Sequence, residues 1–169
     1  MNKALIGKIV NGLLVVAVLW VLINRLPGVI ENFRKQNQPA PSFAVPLLDG
    51  TLFESEKTGK ALVVVFWATW CGPCEVELSR LQKLIDDKVI PADSVLAISS
   101  LEDRHLVQTT VDQRRYSFLV GVDISGQVAG LYGVRATPTT ALLDKNHQLT
   151  WITTGLSPLL EVRIRGLFK

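Results

Sequence analysis

Cysteine is scarce in this chain of 169 residues: there are two, beside two histidines and one methionine. Two thiols cannot build the disulfide framework of a small secreted scaffold. A structural zinc site is excluded as well, because it needs about four sulfur or nitrogen ligands and His105 and His147 stand in unrelated segments. Haem attachment would require His directly after Cys74, where Glu75 stands. Also missing is any basic stripe interleaved with aromatics. The formal charge is +3, yet residues 41–169 carry 13 Lys+Arg against 14 Asp+Glu, so the excess belongs to the N-terminal segment and no nucleic-acid partner is expected. No internal repeat, low-complexity tract, or glycine-rich nucleotide fingerprint is present, and no cofactor or metal is expected.

Charge is absent from Ile9 to Asn24, and Leu13 to Ile23 is an almost unbroken apolar run. From Ala4 to Ile23 a helix would reach roughly 30 Å, enough to cross a bilayer with Lys8 snorkelling to the interface. No small-x-small cleavage site ends the run, and no cysteine follows it that could carry a lipid. Residues 1–26 are therefore expected to be an uncleaved signal anchor, residues 27–41 a linker with prolines at 27, 39 and 41, and residues 42–169 one folded domain. Lys3, Lys8 and the amino terminus nearly balance Arg25, Arg34 and Lys35, so charge alone does not orient the anchor.

In the domain, FAVPLLDGTLF holds an Asp49-Gly50 turn between two apolar arms, the pattern of a short hairpin. ALVVVFW (61–67) reads as a strand buried on both faces. A helix begins at or just after Cys71, with Leu78, Leu81, Leu84 and Ile85 forming its apolar stripe. Strands follow at 94–99 and 117–123, a surface helix within 102–116 and a short helix around 127–132. The segments 139–143 and 149–153 flank a turn, and Ser157 and Pro158 suit the Ncap and N1 positions of a last helix ending near Phe168. This order predicts an α/β sandwich with a mixed sheet.

Both cysteines lie in FWATWCGPCEVE, where a buried strand turns into a helix. Backbone N–H groups and the helix dipole stabilise a thiolate there, which favours a redox couple; soft-metal binding and inert buried thiols are the alternatives. On such a helix Cys71 is expected exposed and attacking, and Cys74, three residues on, inward and resolving. Gly72 permits close approach of a partner, and Pro73 fits the first helical turn. Trp67 and Trp70 read either as shields of the pair or as core.

FWATWCGPC resembles the thioredoxin superfamily, over about 42–169. That resemblance implies a thioredoxin-like fold, protein thiol and disulfide substrates, and a cis-proline facing the cysteines, at Pro138 in GVRATPTTALLD, with the backbone beside Thr137 pairing with substrate. The hairpin, the helix-and-strand insertion at about 102–123 and Glu77, three residues after Cys74, are similar to the membrane-anchored TlpA/ResA-like branch; TTGLSPLLEVRIRGLF is similar to the copper-sensitivity suppressor D type. Thioredoxins carry a buried Asp where this chain has Val65, so Glu77 is the available acceptor for the Cys74 proton, or else a solvated helix carboxylate. Gly-Pro between the cysteines resembles the reducing members, which implies a reductase of exported disulfides; with its domain on the periplasmic side of the cytoplasmic membrane and no flavin or nucleotide motif of its own, it is expected to be reset by a membrane electron donor. An exported oxidase or isomerase, a peroxiredoxin-like peroxidase and a Cu(I)-binding module are the rival readings.

Overall fold

The computed structural model describes residues 11–20, 23 and 38–169. The chain divides into two units, Met1–Lys35 and Gln36–Lys169. In the first, residues 11–20 and 23 are helical, and Leu13, Val16, Leu19 and Trp20 are exposed. No helix among the described residues is long and apolar enough to cross a membrane. The rest of the expected anchor, and the linker up to residue 37, lie outside the described residues.

The second unit is built on a six-stranded mixed sheet in the order β1-β8-β7-β4-β5-β6. Its strands are β1 (Gln38–Pro39), β4 (Leu62–Trp67), β5 (Val95–Ser100), β6 (Leu119–Asp123), β7 (Thr139–Leu143) and β8 (Gln148–Thr154). The pairings β4 with β5 and β5 with β6 are parallel; the others are antiparallel. β1 pairs with β8 and Ala40 is buried, so regular structure begins ahead of Ser42. A two-stranded hairpin, β2 (Ala44–Pro46) and β3 (Leu52–Glu54), turns at Gly50, whose φ of 89° suits a residue without a Cβ. The helices are α1 (Gly72–Asp86), α2 (Arg104–Arg114), α3 (Gln127–Tyr132) and α4 (Leu160–Leu167).

β4 is central and all six of its residues are buried. Alternation sends Val63, Val65 and Trp67 into the layer shared with Leu78 and Leu81 of α1, Val107 of α2, and Leu160 and Ile164 of α4. Leu62, Val64 and Phe66 point the other way, to Phe43 and Val45 of the hairpin region and Val128 and Tyr132 of α3. The hairpin lies so close to β6 that a Cβ on Gly121 would meet Val45 Cγ1 at 2.9 Å.

One expectation about the C-terminus needs correction. α4 starts at Leu160 rather than Pro158, because Ser157 Oγ accepts from Leu159 N at 3.2 Å and spends its oxygen in a preceding turn. Within α4, the Arg163 guanidinium lies over the Trp151 ring, 5.0 Å from the centroid. His147 is half-buried in the β7-β8 turn, with a left-handed backbone.

Candidate active site

Cys71 is the Ncap of α1, in extended conformation (φ −89°, ψ 100°), with Pro73 in the first turn where its missing N–H costs no helical bond. The Cys71 N–H donates to Ala68 O at 3.1 Å, making the tight turn from strand to helix. Cys74 N–H donates to Cys71 Sγ at 3.2 Å and to Cys71 O at 3.0 Å. A thiolate at Cys71 would meet that same donor and the positive end of the helix, both of which favour the anion. The two residues are joined by a disulfide with Cα atoms 5.2 Å apart.

The expectation of an exposed Cys71 fails: its exposure is 6%, and that of Cys74 is 0%. Cys71 belongs to the core layer with Trp67, Ala68 and Leu78, and its sulfur turns back to Cys74 rather than outward. Gly72 and Pro73 are exposed, and Trp70 is 78% exposed while Trp67 is buried. The two tryptophans therefore divide, one to the core and one to the rim of the site.

Register brings the distant residues in. Thr139 stands opposite Phe66, so Pro138 lies level with Trp67 at the end of β4 that leads into the cysteines. The Thr137–Pro138 peptide is cis and Pro138 is buried. Gly155 N donates to Pro138 O at 2.7 Å, and Thr139 Oγ1 to Ala136 O at 2.7 Å, which ties down both ends of this turn. Thr137 is half-buried beside it.

Glu77 is fully buried. Thr140 Oγ1 donates to its Oε1 at 3.3 Å, Oε2 makes no hydrogen bond, and Arg80 Nη1 stands 3.8 Å from Oε2. Burial raises its pKa above the ordinary 4.5, more than the Thr140 hydrogen bond and the Arg80 charge lower it. Thr140 pairs with Val65 across β7 and β4, so the helix carboxyl is anchored to the cross-strand neighbour of that valine. The alternative of a solvated helix carboxylate is set aside by this burial.

Two contacts could not be read along the chain. Glu102, in the loop before α2, accepts from Thr69 N at 3.0 Å, from Thr69 Oγ1 at 2.6 Å and from Ser99 Oγ, stapling the loop before Cys71 to the end of β5. The only sign of it was polar residues at the ends of two strands not yet known to be neighbours. Arg114 of α2 pairs with Glu75, and so offsets the charge beside Cys74. Among the described residues no cluster of three or more His, Cys, Asp or Glu side chains is placed to hold a metal ion.

Residues 35–162 match the Redoxin family model. A thiol-disulfide oxidoreductase ResA of Halalkalibacterium halodurans is 30% identical over 126 residues, 74% of this chain and 72% of that protein. Across this and a ResA of Bacillus thuringiensis, the chain spans 72% and 64% of the relative's length. Among solved structures, StoA of Bacillus subtilis superposes with a TM-score of 0.63 at 21% identity, over 77% of this chain and 98% of that one. A thiol-disulfide oxidoreductase of Bacteroides fragilis does so with 0.66 at 22% identity, over 77% and 99%. At those identities the two structures establish the shared fold.

Proposed function

The chain belongs to the redoxin family and is a thiol-disulfide oxidoreductase of thioredoxin-like fold, and from that premise we propose that it is a membrane-tethered reductase of exported protein disulfides. Its domain works on the extracytoplasmic side of the cytoplasmic membrane, and a membrane dithiol donor restores it. The observation that carries the dithiol chemistry is the Cys71–Cys74 pair at the N-terminus of α1, backed by the buried Glu77.

In each turnover the Cys71 thiolate attacks one sulfur of a substrate disulfide. A bond forms between Cys71 Sγ and that sulfur, the substrate S–S bond breaks, and the other substrate sulfur leaves as a thiolate that takes up a proton. Glu77 accepts the Cys74 proton, directly or through one water, since a carboxyl with a raised pKa is the better matched base for a thiol. The Cys74 thiolate then attacks Cys71 Sγ, which closes the protein disulfide and releases the second substrate thiol. Two electrons have moved to the substrate, and a donor dithiol returns two by the reverse steps. Pro138 and Thr137 flank the pair where an extended substrate segment would lie.

Gly-Pro between the cysteines and the apolar run from Ala4 to Ile23 support the reducing direction and the tether respectively. Equilibration of the full chain with glutathione and dithiothreitol buffers tests the direction. The expected potential lies near about −270 mV, as for thioredoxin; a value near about −120 mV, as for the oxidant DsbA, would make it an oxidase. Stoichiometric Cu(I) binding without turnover of any disulfide would favour the metal-binding alternative. A reporter fused after Lys169 and active only after export tests the orientation.

A further inference from the structure

A base that takes the Cys74 proton must give it up before the next turnover, and Glu77 is fully buried. Its two oxygens are not equivalent. Oε1 accepts from Thr140 Oγ1 of β7, while Oε2 is buried and has no hydrogen-bond partner. An oxygen left in that condition disfavours the ionised carboxyl in particular. The Cys71–Cys74 disulfide is formed, so the carboxyl stands in the state from which it has to release the proton.

Three residues on, Arg80 is exposed, and its Nη1 is 3.8 Å from Glu77 Oε2. That separation is too long for a hydrogen bond, yet short enough for the guanidinium charge to favour the carboxylate. The Arg80 guanidinium makes no hydrogen bond and no other ion pair among the described residues. It also lines a cavity of about 340 Å³ between α1 and the start of α4, together with Leu84, Ser157, Pro158, Leu160 and Glu161. Leu84 lies one turn beyond Arg80, so the cavity runs along the face of α1 that carries Glu77. Across it, Glu161 is engaged by Arg165, whose Nη2 donates to Oε1 at 2.7 Å, which leaves Arg80 to Glu77. With Arg80 on one wall and Ser157 and Glu161 on the other, the cavity is polar and has room for several waters. The cavity beside Cys71, of about 10 Å³, is lined by Cys71, Glu75 and Arg114 among others and touches neither Glu77 nor Arg80.

We propose that the cavity between α1 and α4 is the exit by which the Glu77 proton reaches solvent, and that Arg80 is the positioning residue standing between the two. This deepens the reading of Glu77 as the base and rests on it. While Cys74 is a thiol, Arg80 beside Oε2 keeps Glu77 ionised and ready to accept. The neutral carboxyl no longer holds the guanidinium, which turns into the cavity and lets a water reach Oε2. The carboxyl O–H bond then breaks, the water becomes hydronium and passes its proton to bulk, and the carboxylate draws Arg80 back. Arginine stays charged throughout and moves no proton itself.

The test mixes the reduced full chain with an aromatic disulfide whose thiolates stay ionised at neutral pH, in weak buffer with a pH-indicator dye that absorbs elsewhere. The Cys71 thiolate and the Cys74 thiol give two electrons to the reagent, so each chain releases two aromatic thiolates and one proton. In the parent the proton should appear together with the second thiolate. Arg80→Met keeps the apolar stem and removes the charge. Its first thiolate should appear at the parent's rate, its second about threefold to tenfold more slowly on the acid side of the pH profile, with the proton lagging behind it. Arg80→Lys should restore most of both. Glu161→Phe, an exposed position on the far wall, should delay the proton with Arg80 in place. Proton release in step with the second thiolate in Arg80→Met overturns the proposal, and so does an equal slowing of the first thiolate, the mark of a structural residue. A lag in Arg80→Met without one in Glu161→Phe overturns the cavity as the exit. Closure of the disulfide at the parent's rate in Glu77→Gln strikes the base itself, and the exit with it. Failure of the parent to reduce the reagent strikes the oxidoreductase reading on which both depend.

Discussion

Glu77 shows how one carboxyl acquires a role from its surroundings. Burial makes the folded state hold its proton more tightly than the unfolded chain does. Its contribution to stability is therefore complete below its ordinary value of 4.5 and is lost as pH rises through the raised folded value. Glu77→Gln lacks that loss, so the Tm difference between variant and parent should move in the variant's favour as pH rises above 4.5, measured by thermal melts in a pH series. A difference independent of pH would place the carboxyl in water. In stopped-flow mixed-disulfide resolution the same variant should be slower by on the order of a hundredfold, with its pH dependence altered, because Cys74 would have lost the base proposed for it. Position 77 was legible as a candidate by its spacing from Cys74. That it is buried, and bonded to Thr140, was not, because Thr140 is brought there by the pairing of β7 with β4.

Among the elements, α1 and β4 were the plainest to read. Six consecutive buried residues and a stripe at helical spacing are local patterns, and Gly72 starts the helix where the Cys-Gly-Pro-Cys turn demands. The hairpin was legible from Asp49-Gly50, but its docking was not. It rests on β6, where Leu47 bridges to Gly121 and Arg104 of α2 donates to Leu47 O and Leu48 O. Gly121→Ala would force Val45 aside in a packed layer, and should cost about 1–3 kcal/mol in urea denaturation. No loss would mean that the hairpin can move away from the sheet freely. The start of α4 was misplaced because Ser157 and Pro158 satisfy a turn as well as a cap, and only the packing of Leu160 and Ile164 decides between them.

For the whole molecule, the proposed membrane tether would determine which disulfides the domain can meet. The N-terminal segment has no charge from Ile9 to Asn24, and a carboxylate placed in its middle would cost about 2.5–3.5 kcal/mol in the bilayer. Val16→Asp should therefore move the chain from the carbonate-resistant membrane pellet to the supernatant, while the potential of Cys71–Cys74 stays as in the parent. Retention in the pellet would show that this run is not what anchors it. The measured potential and the side on which the Lys169 reporter is active then fix the direction of electron flow in its compartment.

The sequence by itself determined the chemistry and the local frame: two thiols three residues apart, the strand that delivers them, the helix that begins between them and the proline that shares their end of the sheet. These follow from neighbours along the chain, or from a motif specific enough to stand without coordinates. Tertiary structure decided the rest: the recess of Cys71, the burial of Glu77 and the Glu102 staple. Each depends on strand register, and a shift of one residue would send every side chain of a strand to the opposite face. Periodicity in a sequence says which residues alternate, but only the assembled sheet says what they alternate against.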